Sequence, residues 1–140
     1  MYRRILVAIE NSPADQAILT HVTTLALQTG AELLLVHVTD GFAARHFDDL
    51  GLRESDEIKG DRAYLDGLAA SLAARSVPVS IELAMGDPAT ELIRLAQDRD
   101  VDLIAMSTHG HRFINDLIRG TTVDKVRHLV KIPVLLLRAQ

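Results

Sequence analysis

Five apolar runs of strand length alternate with segments of helical periodicity along this 140-residue chain. The runs cover residues 5–9, 33–38, 77–83, 101–106 and 132–137. Strands that alternate with helices form parallel sheets, which helices cover on both faces. We therefore predict an α/β fold with a doubly wound five-stranded parallel sheet.

The helix boundaries are predicted from capping residues. Ser12 before Pro13 marks the start of the first helix, and Asp87-Pro88 marks the start of the third. Apolar residues from Leu65 to Leu72 place the second helix, and Thr121 to Val130 forms the fourth. The segment from Thr39 to Arg53 has no clear period, so we expect a long loop there.

The strand order follows from handedness and from two prolines. Pro78 and Pro133 lie in the third and fifth apolar runs, and proline is confined to edge strands. Right-handed crossovers then favour the order 3-2-1-4-5. In that order the chain reverses its winding between strands 1 and 4, where open α/β sheets bind ligands. Glu10 ends strand 1 and residues 107–110 follow strand 4, so both belong to one crevice.

Composition limits the class of protein. The chain is 48% apolar, which is enough for one domain over residues 1–140. Its formal charge of −4 leaves no basic surface for nucleic acid. The absence of cysteine excludes disulfides and thiolate metal sites, and no apolar stretch is long enough to span a membrane. We expect a cytoplasmic protein.

The segment after the fourth strand carries the strongest functional signal. Met106-Ser107-Thr108-His109-Gly110 is followed after nine residues by Gly120-Thr121-Thr122. Glycines between a strand and a helix let the backbone approach an anion, and the free amides of the helix start favour phosphate. The alternative is that Gly120-Thr121 is only an ordinary helix start.

These residues resemble the nucleotide loop of the universal stress protein family. The family pattern is a glycine, two residues, a glycine, nine residues, and a glycine followed by Ser or Thr. Gly110, Gly120 and Thr121 match it, whereas Ser107 stands where the first glycine is usual. The resemblance extends over the whole chain through Ile5–Ser12, Leu35–Val38, Gly86–Pro88 and Ile132–Arg138.

The resemblance to the nucleotide-binding branch of this family implies a Rossmann-like fold and a stress-response regulator that holds ATP or AMP. The hydroxyl groups of Thr121 and Thr122 offer further donors, or ligands to a divalent ion such as Mg or Mn that the phosphates share. Glu10 replaces the usual aspartate and Asn11 the usual glycine. The matching binding positions are Ala8, Ile9, Glu10, Val38, Met106, Ser107, His109, Gly110, Gly120, Thr121 and Thr122. Of these, we expect Ala8, Ile9 and Val38 to form apolar walls for adenine.

Other functions stay open at this point. The chain offers no clear general base and no phosphate-loop lysine, which favours binding over turnover. A slow ATPase, an adenylyl-transfer enzyme or a family member that binds no nucleotide are the alternatives. We discard a phospho-acceptor receiver domain. Such a domain needs an aspartate at the end of strand 3 and a lysine at the end of strand 5, where this chain has Ala84-Met85 and Arg138.

Two histidine features and the last apolar run bear on the core, on metal binding and on assembly. His37 lies in a buried run, so we expect a hydrogen-bonded core histidine. His109 and His111 have no recognisable third ligand, so we reject a metal site. Residues 132–137 are apolar although the topology places them at a sheet edge. Such an edge invites pairing, and the family resemblance also implies a two-fold homodimer through this strand.

Overall fold

The structure is a computed structural model that describes residues 1–40, 52–108 and 116–139. Its strands are β1 (Arg4–Ala8), β2 (Glu32–Asp40), β3 (Val79–Gly86), β4 (Leu103–Thr108) and β5 (Val134–Arg138). Its helices are α1 (Ala14–Thr29), α2 (Leu52–Ala74), α3 (Pro88–Asp98) and α4 (Asp116–Leu129). The strands form one parallel sheet in the order β3-β2-β1-β4-β5, which confirms the predicted fold class and strand order.

The alternation of side chains along the strands creates two separate cores. Ile5 and Val7 of β1 pack with apolar residues of α1 and α2. Leu6, which points to the opposite face, packs with apolar residues of α3 and α4. A strand between two helical layers must be apolar at successive positions, and this explains the uninterrupted apolar runs of β1 and β4.

β1 lies between β2 and β4, and its register is fixed on both sides. Val7 is opposite Leu35 on one side and Ala105 on the other. The chain winds outward to β2 and β3 first and then returns to β4 and β5 on the far side of β1. The carboxyl ends of β1 and β4 therefore border a crevice at the point where the winding reverses.

Both edge strands begin just after their prolines, as the predicted edge positions require. The carbonyl oxygen of Pro78 accepts a hydrogen bond from the N–H of Leu33 at 2.9 Å. The carbonyl oxygen of Pro133 accepts from the N–H of Ile104 at 3.1 Å. Each proline thus joins the sheet only as an acceptor, and this is the one ladder role left to a residue without an N–H.

Several predicted boundaries are wrong. β2 continues to Asp40 and α2 begins at Leu52, so the predicted loop from Thr39 to Arg53 is too long at both ends; residues 41–51 lie outside the described residues. The early part of α2 is a charged run whose residues favour helix without marking an apolar face. β4 extends through Ser107 to Thr108, where we predicted loop.

α4 begins at Asp116, earlier than the predicted start at Thr121. The residues that precede Gly120 include an acidic residue at the helix start and good helix formers. Gly120 is therefore inside the helix and does not open it. The start of α3 is as predicted, because Asp87 caps it with a carboxylate that accepts from the N–H of Thr90 at 3.0 Å, and Pro88 follows at the first helical position.

Candidate functional site

Six described residues of the predicted site lie at or just beyond the carboxyl ends of three neighbouring strands. Ala8 ends β1, Val38 lies near the end of β2, and Met106 and Ser107 lie near the end of β4. Ile9 and Glu10 follow β1 directly, and Thr121 and Thr122 belong to α4. The predicted residues His109 and Gly110 lie outside the described residues.

Three of the predicted residues lie on the same face of the sheet. Met106 is buried in the core formed with α3 and α4, and Ala8 and Val38 pack against that core. Val38 pairs with Ala84 of β3, which belongs to the same cluster. This face of the sheet thus carries three apolar side chains near the carboxyl ends of its strands, those of Ala8, Val38 and Met106. We call these three residues the apolar face.

Ile9 lies on the other side of the sheet. Its side chain is 3% exposed and is part of the core with α1 and α2. Its N–H donates to the carbonyl of Val36 at 2.8 Å, and its carbonyl oxygen lies 2.8 Å from Nδ1 of His37. The side chain of Ile9 therefore does not belong to the apolar face, and both of its main-chain polar groups have partners within the protein.

Ser107 occupies the position where the family pattern has glycine, and its side chain has a structural contact. The hydroxyl is directed at the carbonyl oxygen of Ala14, the first residue of α1, at 3.4 Å. The residue is 8% exposed, and its backbone pairs with Leu137 of β5. The side chain of Ser107 thus ties the end of β4 to the start of α1.

The turn between β1 and α1 is organised by Asp15, whose role sequence reasoning missed. Asp15 is 1% exposed. Its carboxylate accepts hydrogen bonds from the N–H groups of Glu10 at 2.9 Å, Asn11 at 2.8 Å and Ser12 at 3.2 Å. Asp15 is not among the residues that we predicted for the site. The Ser12-x-x-Asp15 spacing is a capping-box pattern, and it was the available signal.

Ser12 is the cap of α1 in hydrogen-bonding terms, although the helix is assigned from Ala14. Pro13 already has helical φ and ψ angles of −57° and −20°. The hydroxyl oxygen of Ser12 accepts from the N–H of Ala14 at 3.2 Å, and its carbonyl oxygen accepts from the N–H of Asp15 at 3.0 Å. The predicted start is therefore displaced by one residue but has the predicted chemistry.

Helix α2 holds the same turn from the other side. The Tyr64 hydroxyl donates to Asp15 at 2.8 Å, and burial together with this hydrogen bond raises the pKa of Tyr64 well above its ordinary value. Asp61 accepts from the side-chain amide of Asn11 at 2.8 Å and lies 3.3 Å from Nε2 of His37. His37 is thus a hydrogen-bonded, largely buried histidine, as predicted.

The observed start of α4 determines which of its main-chain N–H groups have no acceptor within the helix. The first four N–H groups of an α-helix have no partner within the helix, and in α4 these belong to residues 116–119. Gly120 is the fifth residue, Thr121 is exposed and Thr122 is half-buried. The N–H groups of the first helical turn therefore precede Gly120, Thr121 and Thr122, the residues of this helix from which we predicted main-chain donors.

Comparison with known proteins assigns the family. The sequence matches the universal stress protein family over residues 1–138. The chain belongs to this family. Universal stress protein YxiE from Bacillus subtilis is 27% identical over an alignment that covers 99% of this chain and 100% of that protein.

Solved structures of similar proteins share the fold of this universal stress protein. MJ0577 from Methanocaldococcus jannaschii superimposes with a TM-score of 0.83 at 22% identity, covering 100% of this chain and 98% of that one. A universal stress protein from Archaeoglobus fulgidus in complex with dAMP superimposes with a TM-score of 0.70 at 18% identity, covering 96% and 97% of the two chains. At these identities the comparison establishes the architecture.

The described residues of this universal stress protein also bear on metal binding and on membrane-spanning helices. Among the residues that the structure describes, no three side chains of the metal-binding types form a cluster that could hold an ion. None of the described helix segments combines the length and the apolar character that crossing a membrane requires.

Proposed function

We propose that this universal stress protein binds an adenine nucleotide, ATP or AMP, in the crevice at the carboxyl ends of β1 and β4. We further propose that it acts as a regulator and not as an enzyme. The observation that carries the proposal is the apolar face of Ala8, Val38 and Met106 at the point where the winding of the sheet reverses. Ligands of open α/β sheets bind at this point.

We expect the parts of a nucleotide to lie along the crevice in one order. Ala8 and Val38, the two half-buried members of the apolar face, offer a surface on which a purine ring loses contact with water. Burial of apolar area is favourable. Glu10 follows β1 beside this face and is a candidate partner for ribose hydroxyls. The dAMP complex of the Archaeoglobus fulgidus relative supports a ligand of this class.

The phosphates would then lie toward β4 and α4. We expect Ser107 to contribute its main chain, and the N–H groups and positive dipole end at a helix start favour an anion. His109, Gly110, Gly120, Thr121 and Thr122 remain the residues that the family resemblance implies for this part. The threonine hydroxyls are also suited to a Mg or Mn ion that the phosphates share.

Regulation by the bound nucleotide is the role that we infer for such a site, and we expect it to operate in the cytoplasm. The described side of the crevice is made of apolar side chains and main-chain groups, together with the carboxyl group of Glu10. Binding without efficient turnover is what this arrangement favours. Sustained release of phosphate from ATP at ordinary enzyme rates would instead identify a hydrolase.

The proposal is tested by calorimetric titration of AMP and ATP into protein that has been freed of nucleotide by mild unfolding and refolding. Ribose 5-phosphate is the matched ligand, since it keeps sugar and phosphate but lacks adenine. We expect AMP to bind at least about tenfold more tightly than ribose 5-phosphate, because only AMP covers the apolar face. Equal affinities, or no binding of AMP and ATP, would contradict the proposal.

We also infer a two-fold homodimer through residues 132–137. Leu136 of β5 is 36% exposed although β5 is apolar, and the outer edge of β5 has no neighbouring strand among the described residues. A groove runs beside this edge, between α1 residues such as Leu25 and Leu137 of β5, and its described lining contains no Asp, Glu, Lys or Arg. A second copy that pairs edge to edge would cover both features.

A further inference from the structure

Three consecutive N–H groups in the turn after β1 point at a single carboxylate. Those of Glu10, Asn11 and Ser12 all donate to Asp15, and Asn11 adopts the left-handed conformation with a φ of 61°. Successive N–H groups that converge through a left-handed residue form a concave anion-binding nest. In this protein a side chain of the chain itself occupies the nest.

This turn belongs to the candidate site. Glu10 follows β1 at the rim of the crevice, and the Ser107 hydroxyl of β4 reaches the carbonyl of Ala14 at the other end of the turn. In doubly wound folds the turn after the first strand, together with the following helix start, is a common place for the phosphates of a nucleotide. Asp15 lies where such a phosphate would accept its hydrogen bonds.

We propose that Asp15 is a positioning residue that determines which side of the crevice the phosphates of a nucleotide occupy. By filling the nest after β1, its carboxylate excludes phosphate from that turn and directs it toward β4 and α4. The turn after β1 is left to the nucleoside part of the ligand. This inference rests on the proposed nucleotide binding.

The contacts of Asp15 make the exclusion strong. Its two oxygens receive four donors, the three amides and the hydroxyl of Tyr64, which lies 2.8 Å away. Asp15 is 1% exposed, so a phosphate could reach the amides only by displacing a buried carboxylate from all of its partners. Negative charge on both groups would oppose that exchange further.

The unaltered protein provides a first test by nuclear magnetic resonance, with AMP compared against adenosine. The two ligands differ only by the phosphate, so the difference between their spectra locates it. We expect the amide signals of Glu10, Asn11 and Ser12 to respond equally to both ligands, and those of Thr121 and Thr122 to respond more strongly to AMP. A phosphate-dependent response at residues 10–12 would overturn the inference.

A second test uses inorganic phosphate and the substitution Asp15→Ser, with Asp66→Ser as a control at an exposed position of α2. Removal of the carboxylate frees the nest, so in Asp15→Ser the amide signals of residues 10–12 are expected to shift and saturate as phosphate is added. They are expected to stay unchanged in the unaltered protein and in Asp66→Ser. A folded Asp15→Ser variant without this response would overturn the inference.

The two tests separate this inference from the proposed function. If neither adenosine nor AMP changes any signal, the proposed nucleotide binding fails. The phosphate titration of Asp15→Ser still decides whether the carboxylate occupies an anion nest. If Asp15→Ser does not fold, a shift of residues 10–12 in the unaltered protein on addition of phosphate overturns the inference, and the absence of a shift supports it.

Discussion

The phenolic oxygen of Tyr64 lies 2.8 Å from Oδ2 of Asp15, and this contact joins α2 to the turn after β1. One helical turn earlier, Asp61 holds the side chain of Asn11 and faces His37 of β2. These hydrogen bonds form a polar network between α2 and the rim of the crevice. The stability of that rim therefore depends on the position of α2.

Tyr64→Phe is expected to destabilise the protein by about 2 kcal/mol, because the hydroxyl donates to a buried carboxylate. Tyr2→Phe is the matched control, since Tyr2 is also half-buried and packs against the same core cluster. Urea denaturation of both variants measures the difference. An equal loss of stability in the two variants would show that the Tyr64 hydroxyl has no special role.

The raised pKa of Tyr64 predicts a loss of stability at alkaline pH. An unfolded tyrosine ionises near pH 10, roughly its reference pKa, whereas burial and Asp15 keep the folded phenol protonated beyond that value. The unfolded state then binds fewer protons than the folded state, so the contribution is complete below the unfolded pKa and is lost as pH rises toward the folded pKa. Urea denaturation at pH values below and above the pKa of unfolded tyrosine measures this effect. As pH rises, the free energy of unfolding should fall more steeply for the unaltered protein than for Tyr64→Phe.

Gly120→Val is expected to weaken AMP binding at least about tenfold, because it adds a branched side chain to the helix that we propose beside the phosphates. Gly67→Val makes the same change inside α2, where an added Cβ meets no other atom within 4 Å. Calorimetry on both variants gives the comparison. Unchanged affinity in a folded Gly120→Val variant would mean that the phosphates bind elsewhere.

Ser107→Gly restores the glycine that is usual in the family pattern. We expect this change to cost about 0.5–1 kcal/mol more stability than Ser80→Gly, because only the Ser107 hydroxyl makes a buried contact with Ala14. The exposed Ser80 lies on β3 and controls for the flexibility that glycine brings. The affinity for AMP should stay unchanged, since the hydroxyl faces α1. A large gain or loss of affinity would place that hydroxyl at the phosphates.

Leu136→Lys is expected to convert a dimer into a monomer in light-scattering measurements at micromolar concentration. A lysine on the edge strand β5 adds a charge that would be buried in the proposed pairing. Met85→Lys is the control, because Met85 is similarly exposed on β3 at the opposite edge of the sheet. A monomeric unaltered protein, or an undisturbed dimer in Leu136→Lys, would contradict pairing through β5.

The sheet was predictable because its central strands contain long apolar runs. The apolar run of β2 from Leu33 to Val38 can be buried only between two layers of helices. The prolines at positions 78 and 133 identified the edge strands, and handedness then left one order. These signals are local or follow from general topology, so they do not depend on side-chain packing.

The sequence also implies that the predicted apolar wall residues lie on two different faces of the sheet. Ala8 and Ile9 are neighbours in an extended chain, so their side chains point in opposite directions. The structure places Ala8 at the apolar face and Ile9 in the core with α1 and α2. Only one of the two side chains can therefore form a wall of the same pocket.

The polar network around Asp15 was only partly predictable. The spacing from Ser12 to Asp15 indicates a capping box, which accounts for one of the amides that the carboxylate holds. The bonds to Glu10 and Asn11 depend on the left-handed backbone of the turn, and the Tyr64 contact depends on how α2 packs. Such long-range contacts have no signature in a single sequence.

The most direct test of the central claim is the detection of close proton–proton contacts between bound AMP and the protein by nuclear magnetic resonance. We predict nuclear Overhauser effects from the adenine ring protons to the methyl groups of Ala8, Val38 and Met106. Effects instead to Leu25 and Leu137 would place the nucleotide in the groove beside β5. That result would contradict a site at the carboxyl ends of β1 and β4, where the winding of the sheet reverses.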